Sequence, residues 1–150
     1  MYHAIVRRRV RRIFDHINAG DAELMLDGLG DPFEYRFHGR HAIGGVRTSR
    51  AAVRAWWERV FRLLPGLRFT IRDIVVNGPP WHTTIAMRAS VAGPLPDGSR
   101  YENTIFQFFV LRWGKVVSVE TLEQLQPLER ALRIVADSGV PEALAEPIEG

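Results

Sequence analysis

The hydrophobic period of this chain changes once, and that change limits its fold more than any other feature. Up to Leu64 the apolar residues recur mainly at helical spacing, interrupted by one alternating run. After Pro65-Gly66 four stretches read as strands, near 67–76, 81–91, 100–112 and 115–124. Asn77-Gly78-Pro79-Pro80 separates the first two, and Pro94-Leu95-Pro96-Asp97-Gly98 the second and third. Trp113-Gly114 joins the last two as a tight hairpin, the glycine supplying a positive φ. Helices followed by a meander of antiparallel strands form an α+β pattern. A curved sheet wrapped over the first helix would leave a cavity between them.

The helical half divides further. Ile5, Val6, Val10, Ile13, Phe14 and Ile17 share one stripe, which predicts an amphipathic helix over 2–18 ended by Asn18-Ala19-Gly20. Asp21 is suited to cap a short second helix running to about Leu29, with Leu24 and Met25 buried. Phe33 to His38 alternates and reads as a strand, and residues 39–48, with three glycines, read as a loop. Ser49 then caps a helix over about 50–64 that buries Val53, Trp56 or Trp57, Val60, Phe61 and Leu64. Residues 127–138 look helical. Residues 1–140 are expected to form a single domain, and 141–150 a flexible tail.

Charge and composition remove several function classes. The chain has 20 Lys+Arg against 17 Asp+Glu. All but Lys115 of the basic residues are arginine, and they are concentrated before residue 73. Arg7, Arg8, Arg9, Arg11 and Arg12 form a run that reads as the solvated face of the first helix. Nucleic acid is not the expected partner at so modest a net charge. An RNA or other acidic partner would show as a salt-sensitive association lost with Arg7 to Arg12. No cysteine is present, so disulfides, zinc–thiolate sites and thiol nucleophiles are excluded. No apolar run approaches the roughly 18 residues of a membrane span, and no membrane partner is expected. The basic first residues lack a following apolar stretch and cleavage site, so a cytoplasmic location is expected.

This element order and several motifs resemble the nuclear transport factor 2-like superfamily, which includes SnoaL-like polyketide cyclases, ketosteroid isomerases, limonene epoxide hydrolases and scytalone dehydratases. The matching stretches are Ile17-Asn18-Ala19-Gly20-Asp21, the strand Phe33 to His38, the helix Ala51 to Arg59, and the hairpin from Asp97-Gly98 through Trp113-Gly114-Lys115-Val116-Val117. The resemblance implies a cone-shaped sheet wrapped over the N-terminal helices. It also implies a small hydrophobic ligand and no cofactor. Position by position, however, the superfamily's acids are missing. The isomerase's helix-one tyrosine falls on Ile13, and its general-base aspartate falls within Arg36 to His38. Its second acid falls on Phe106 or Gln107. The last-strand aspartate of the cyclases and the epoxide hydrolase falls on Thr121, which cannot act unaided as a base at neutral pH. The hydrolase's Arg–Asp pair is absent from 83–89. Two positions do match: Tyr35 resembles the dehydratase's water-holding tyrosine, and Trp57 falls where the isomerase has a pocket-lining tyrosine.

The final hairpin gives a residue-level expectation. A two-residue turn at Trp113-Gly114 pairs Arg112 with Lys115. Carried on without interruption, the register pairs Phe106 with Thr121, Phe108 with Val119 and Thr104 with Glu123. By resemblance this face is concave and lines the pocket. Its walls would be Tyr35, Trp57, Phe106, Phe108 and Val119, with Glu102 and Glu123 forming a carboxylate pair at one end. The opposite face, with Ile105, Gln107, Phe109, Leu111, Glu120 and Leu122, would then be convex and would need covering, so a homodimer through it is expected. Polar work would fall to His38, Tyr35, Thr121 and Glu123, with His38 or Glu123 as base. His38 and His41 lack a third ligand, so no metal is expected. Two functions remain open. One is a cofactor-free lyase, isomerase or hydrolase of a small hydrophobic substrate. The other is a non-catalytic binding or dimerisation module that lacks the superfamily's acids.

Overall fold

The computed structural model describes residues 1–150. Helix α1 (Tyr2–Asn18) buries Val6, Val10, Ile13, Phe14 and Ile17, the predicted stripe without the exposed Ile5. The Asn18 side chain fastens its end to the sheet, accepting from the Phe69 amide at 2.7 Å and donating to the Phe69 carbonyl at 2.9 Å. A five-residue helix α2 (Glu23–Asp27) follows. Asp21 accepts the Glu23 amide hydrogen at 2.8 Å, but the helix stops short of Leu29, which already opens strand β1 (Leu29–Phe37). The expected 39–48 loop contains a three-residue strand, β2 (Gly45–Arg47), antiparallel to β1. Ser49 accepts the Ala52 amide hydrogen and starts α3 (Arg50–Leu63), which buries both Trp56 and Trp57.

Strands β3 (Arg68–Asn77), β4 (Thr83–Pro94), β5 (Arg100–Arg112) and β6 (Lys115–Glu123) come in the predicted order, β4 running three residues further than expected. Together with β1 and β2 they make one six-stranded sheet of order β2-β1-β6-β5-β4-β3. Only β1 and β6 pair in parallel. Helix α4 (Leu125–Asp137) buries Leu128, Ala131, Leu132 and Val135, packing on β5 and on a final 3₁₀ turn (Pro141–Leu144). The sheet's inner face, α1, α3 and α4 share one hydrophobic core. The fold is therefore α+β, a curved mixed sheet wrapped over the N-terminal helices.

One detail of the last hairpin reverses part of the sequence reading. Trp113 (φ +50°) and Gly114 (φ +79°) both adopt positive φ, the two-residue turn that suits the twist of a hairpin. Arg112 faces Lys115 as expected. Val117 is then an extra residue: the register shifts by one between Leu111 and Val110, so that Val110 faces Ser118 and Gln107 faces Thr121. Because side chains alternate, the shift swaps the faces of β5 relative to β6. Ile105, Gln107, Phe109 and Leu111 point into the core beside Val119 and Thr121. Phe106 and Phe108 point outwards, 53% and 46% exposed.

The last ten residues lie against the body of the protein. Arg47 donates to the Ile148 carbonyl at 2.7 Å, and the Thr48 amide donates to that of Gly150 at 3.0 Å. Glu142 bridges Arg59 and Arg62.

Candidate functional site

The face swap divides the sequence-predicted site between two sides of the sheet. On the convex side, Phe106, Phe108, Leu122, Val75 and Ala86 line an open groove of about 530 Å³. Two ion pairs flank it. His38 Nε2 lies 2.6 Å from the Glu120 carboxylate, and Arg88 donates to Asp73 at 2.7 Å. His38 is therefore on the outer face, away from the interior it was expected to serve. Glu102 is also exposed on this side, 3.6 Å from Arg100, so it does not pair with Glu123. In place of a pocket mouth, the convex face offers an apolar strip with a charged rim.

On the concave side, Tyr35, Trp57, Thr121 and Val119 are buried together with Gln107. Neighbouring strands bring them close: Tyr35 is the β1 partner of Val119, and Thr121 lies between Phe37 and Gln107. Gln107 donates to the Thr121 hydroxyl at 2.9 Å. Its own Oε1 has no partner, and neither do the Tyr35 hydroxyl and the Trp57 indole N–H. Burial pushes the Tyr35 pKa well up, against smaller opposing effects of the Arg47 charge and, last, of the nearby Trp57 indole. The phenol is thus a neutral donor. A buried polar atom left without a hydrogen bond costs about 1–3 kcal/mol. Here these three atoms, and Arg47 Nε as a fourth, lie unpartnered within one interior. Aromatic rings fill the surrounding space: Tyr35 and Trp56 stand 5.5 Å apart, and Trp56 and Trp57 4.8 Å. A small apolar cavity, about 20 Å³, lies between α1 and the sheet.

A fourth buried group is Arg47, which the sequence left in an unremarked loop. It is wholly buried, faces Tyr35 across β1–β2, and sits 5.0 Å over the Trp56 ring. It has no carboxylate partner within salt-bridge distance. Instead its guanidinium donates to the carbonyls of Gly44, Gly45 and Ile148. Burial pushes its pKa down to about 10.

Glu123 is the one buried carboxylate in this region. It accepts a hydrogen bond from the Tyr101 hydroxyl, which in turn accepts from Asn103 at 2.9 Å. Desolvation raises the Glu123 pKa to about 7, against a smaller opposing effect of the Tyr101 hydrogen bond. Tyr101 itself is shifted upwards by burial and by the facing carboxylate. The pair adjoins the first turns of α4. Along β6, Glu123 is four residues beyond Val119, the partner of Tyr35, which is about 13 Å of strand. Any one molecule touching both Tyr35 and Glu123 must be elongated.

Gln107, Tyr101 and Arg47 were not among the sequence candidates. Gln107 was assigned to the outer face by the uninterrupted register. Tyr101 carried no signal beyond its strand. Arg47 follows Gly44-Gly45-Val46, where nothing in the residue pattern distinguishes a buried guanidinium from a solvated one.

The sequence profile of the SnoaL-like domain matches residues 10–119. No curated protein matches the sequence. Among solved structures, an NTF2-like protein from Burkholderia thailandensis E264 superposes with a TM-score of 0.72 at 15% identity, covering 83% of this chain and 95% of that one. TerC, co-crystallised with polyporic acid, gives 0.71 at 16% identity over 83% and 95% of the two chains. A proposed SnoaL-like polyketide cyclase from Jannaschia sp. CCS1 gives 0.68 at 17% identity over 83% and 88%. At such identities the likeness is one of fold.

Proposed function

This chain belongs to the SnoaL-like domain family, and from that premise we propose that it binds a small, elongated, largely apolar hydroxy-carbonyl compound inside the cone. The observation that carries this reading is the unpartnered trio of Tyr35 Oη, Trp57 Nε1 and Gln107 Oε1. Two donors suit a carbonyl or enolate oxygen, and one acceptor suits a neighbouring hydroxyl. The aromatic walls supply the apolar contact. Glu123, with a pKa near neutrality, is suited to move a proton without a cofactor, and Tyr101 positions its carboxyl. Proton transfer next to a carbonyl, as in an isomerase or lyase, fits these groups. Hydrolysis needs a water held by Tyr35 or Thr121. A hydroxyquinone with two aryl arms has the length and the donor–acceptor pattern required, so polyporic acid is the probe of choice.

Tyr35→Phe tests the role of the trio. It deletes a buried hydroxyl that makes no hydrogen bond, so the variant should be as stable as the parent or about 1 kcal/mol more stable. It should also bind polyporic acid several-fold more weakly, read from the Trp57 indole resonance during titration. A loss of stability with unchanged binding would overturn the reading.

The closed interior favours a second reading, a dimerisation module without turnover. Either way, we propose that the convex strip pairs two copies of the chain. Phe106, Phe108 and Leu122 form an exposed apolar patch, and its charged rim carries both signs, as a two-fold interface requires. Phe108→Glu should turn a dimer into a monomer on light scattering, and its melting temperature should no longer rise with protein concentration. An unaltered mass would remove the strip from the interface.

A further inference from the structure

The arginines of α1 and two exposed tryptophans take no part in the interior or in the convex strip, and the fold brings them together at one end of the molecule. The first turn of α1 is tied to the 78–83 loop: the Tyr2 hydroxyl lies 2.6 Å from that of Thr83, and His3 Nε2 lies 2.8 Å from the Gly78 carbonyl. The Trp113 amide donates to the Pro80 carbonyl at 2.8 Å, which seats the β5–β6 turn against the same loop. Arg9 reaches across to the Gly114 carbonyl at 2.6 Å. These bonds place the Trp81 and Trp113 rings 6.0 Å apart, 58% and 73% exposed. Ile5 and Met1 are exposed on the adjoining turn of α1.

The charge along the exposed side of α1 and around Trp113 is mainly cationic, with Asp31 on β1 at its edge, one residue beyond the Gly30 that abuts Lys115. Arg7, Arg8, Arg11 and Arg12 continue from Ile5 along the exposed side of α1, and Arg112 and Lys115 flank Trp113. None of the six forms an ion pair, whereas Arg36, Arg40, Arg54, Arg59, Arg62, Arg88 and Arg100 do. No acidic residue occurs in 1–14 or in 74–96. Soluble surfaces rarely expose two tryptophans side by side, and six cations without an ion-pair partner border this pair.

We propose that this tip docks on the anionic headgroup surface of a lipid bilayer. Indole rings settle at the headgroup level, where an apolar body and a polar N–H are both satisfied. Ile5 and Met1 add aliphatic area that can enter the acyl boundary. The flanking guanidiniums meet lipid phosphates, each contributing about fivefold to partition onto an anionic surface. A nucleic acid would use the same cations. It would gain nothing from exposed aliphatic side chains, and the two rings, tilted by 44°, do not form a flat stacking platform. No helix of the structure is long and apolar enough to cross a membrane. A surface contact needs none, so the hydropathy argument against a membrane partner does not apply to it.

The test is flotation of the whole protein with phosphatidylcholine vesicles, with and without phosphatidylglycerol, alongside a titration with a single-stranded oligonucleotide. Binding to the anionic vesicles alone is expected, weakening as salt is raised. A blue shift of the solvent-exposed tryptophan emission should accompany it, since Trp56 and Trp57 are already buried. Trp81→Ser with Trp113→Ser should abolish the shift and weaken binding at least tenfold. Replacing Arg7, Arg8, Arg11 and Arg12 by Glu should weaken it more than about a hundredfold. If the arginine variant does not fold, the tryptophan pair, exposed and at loop positions, decides alone. Equal flotation with neutral and anionic vesicles, or none with either at low salt, would overturn the proposal. So would arginine-dependent binding of the oligonucleotide that exceeds vesicle binding and ignores the tryptophan changes.

Discussion

Glu123→Gln should make the protein more stable at pH 8 and leave it nearly unchanged at pH 5. The Glu123 carboxyl holds its proton up to about pH 7 in the folded state, because burial disfavours the anion. In the unfolded chain it loses that proton near pH 4.5. Between these values the folded state binds more protons than the unfolded one, so stability falls as pH rises. The contribution is complete below about 4.5 and is lost as pH passes through 7. A shift of this size corresponds to about 3 kcal/mol, as an order of magnitude. Glutamine keeps an acceptor for Tyr101 and carries no charge at any pH. Urea denaturation of both proteins at the two pH values reads the difference directly. A gap that does not change with pH would mean that Glu123 is solvated when ionised, and it would lose its suitability as a neutral-pH base.

Arg47→Met should cost about 3 kcal/mol and release the C-terminal ten residues. Methionine approximates the volume of the side chain and removes a charge whose burial is itself unfavourable, which offsets part of the loss. What remains is decisive: the carbonyls of Gly44, Gly45 and Ile148 all lose their donor, and hydrogen bonds from charged groups are worth about 1.5–3 kcal/mol each. Hydrogen exchange at Thr48, whose amide donates to the Gly150 carbonyl, should rise sharply. Arg40→Met is the control. Its ion pair with Glu146 is exposed on both sides, and its removal should cost less than about 0.5 kcal/mol. Equal effects at the two arginines would show that the buried guanidinium does not fasten this segment.

The sequence made the order of elements legible because each carries its own period and its own punctuation. The stripe from Val6 to Ile17, the Ser49 cap and the Trp113-Gly114 turn all act locally, and each lies where it was expected. The site was less legible, for one identifiable reason. Val116 and Val117 are both apolar and β-branched, so nothing in the residues marks Val117 as the bulge. That single extra residue sends Phe106 and Phe108 outwards and Gln107 inwards. Tyr35, Trp57, Val119 and Thr121 are buried, since the bulge changes the face of β5 and leaves β1, α3 and the outer part of β6 as they were. Glu123 also points inwards, but its partner is Tyr101, in place of Glu102. Arg47 shows a different limit: two of the carbonyls it meets are those of neighbouring Gly44 and Gly45, but the third, and the segment that closes over it, come from Ile148, 101 positions away.

Tyr35, Trp57 and Gln107 are proposed to hold a ligand inside the cone. Crystals grown with a set of planar hydroxyquinones, polyporic acid among them, test it most directly. Density should appear inside the cone, with one ligand oxygen between Tyr35 Oη and Trp57 Nε1 and a hydroxyl on Gln107 Oε1. To admit it, the Trp57 ring or α4 must move from its closed position. An interior still closed with every compound, its three polar atoms bonded to each other or to water alone, would contradict it.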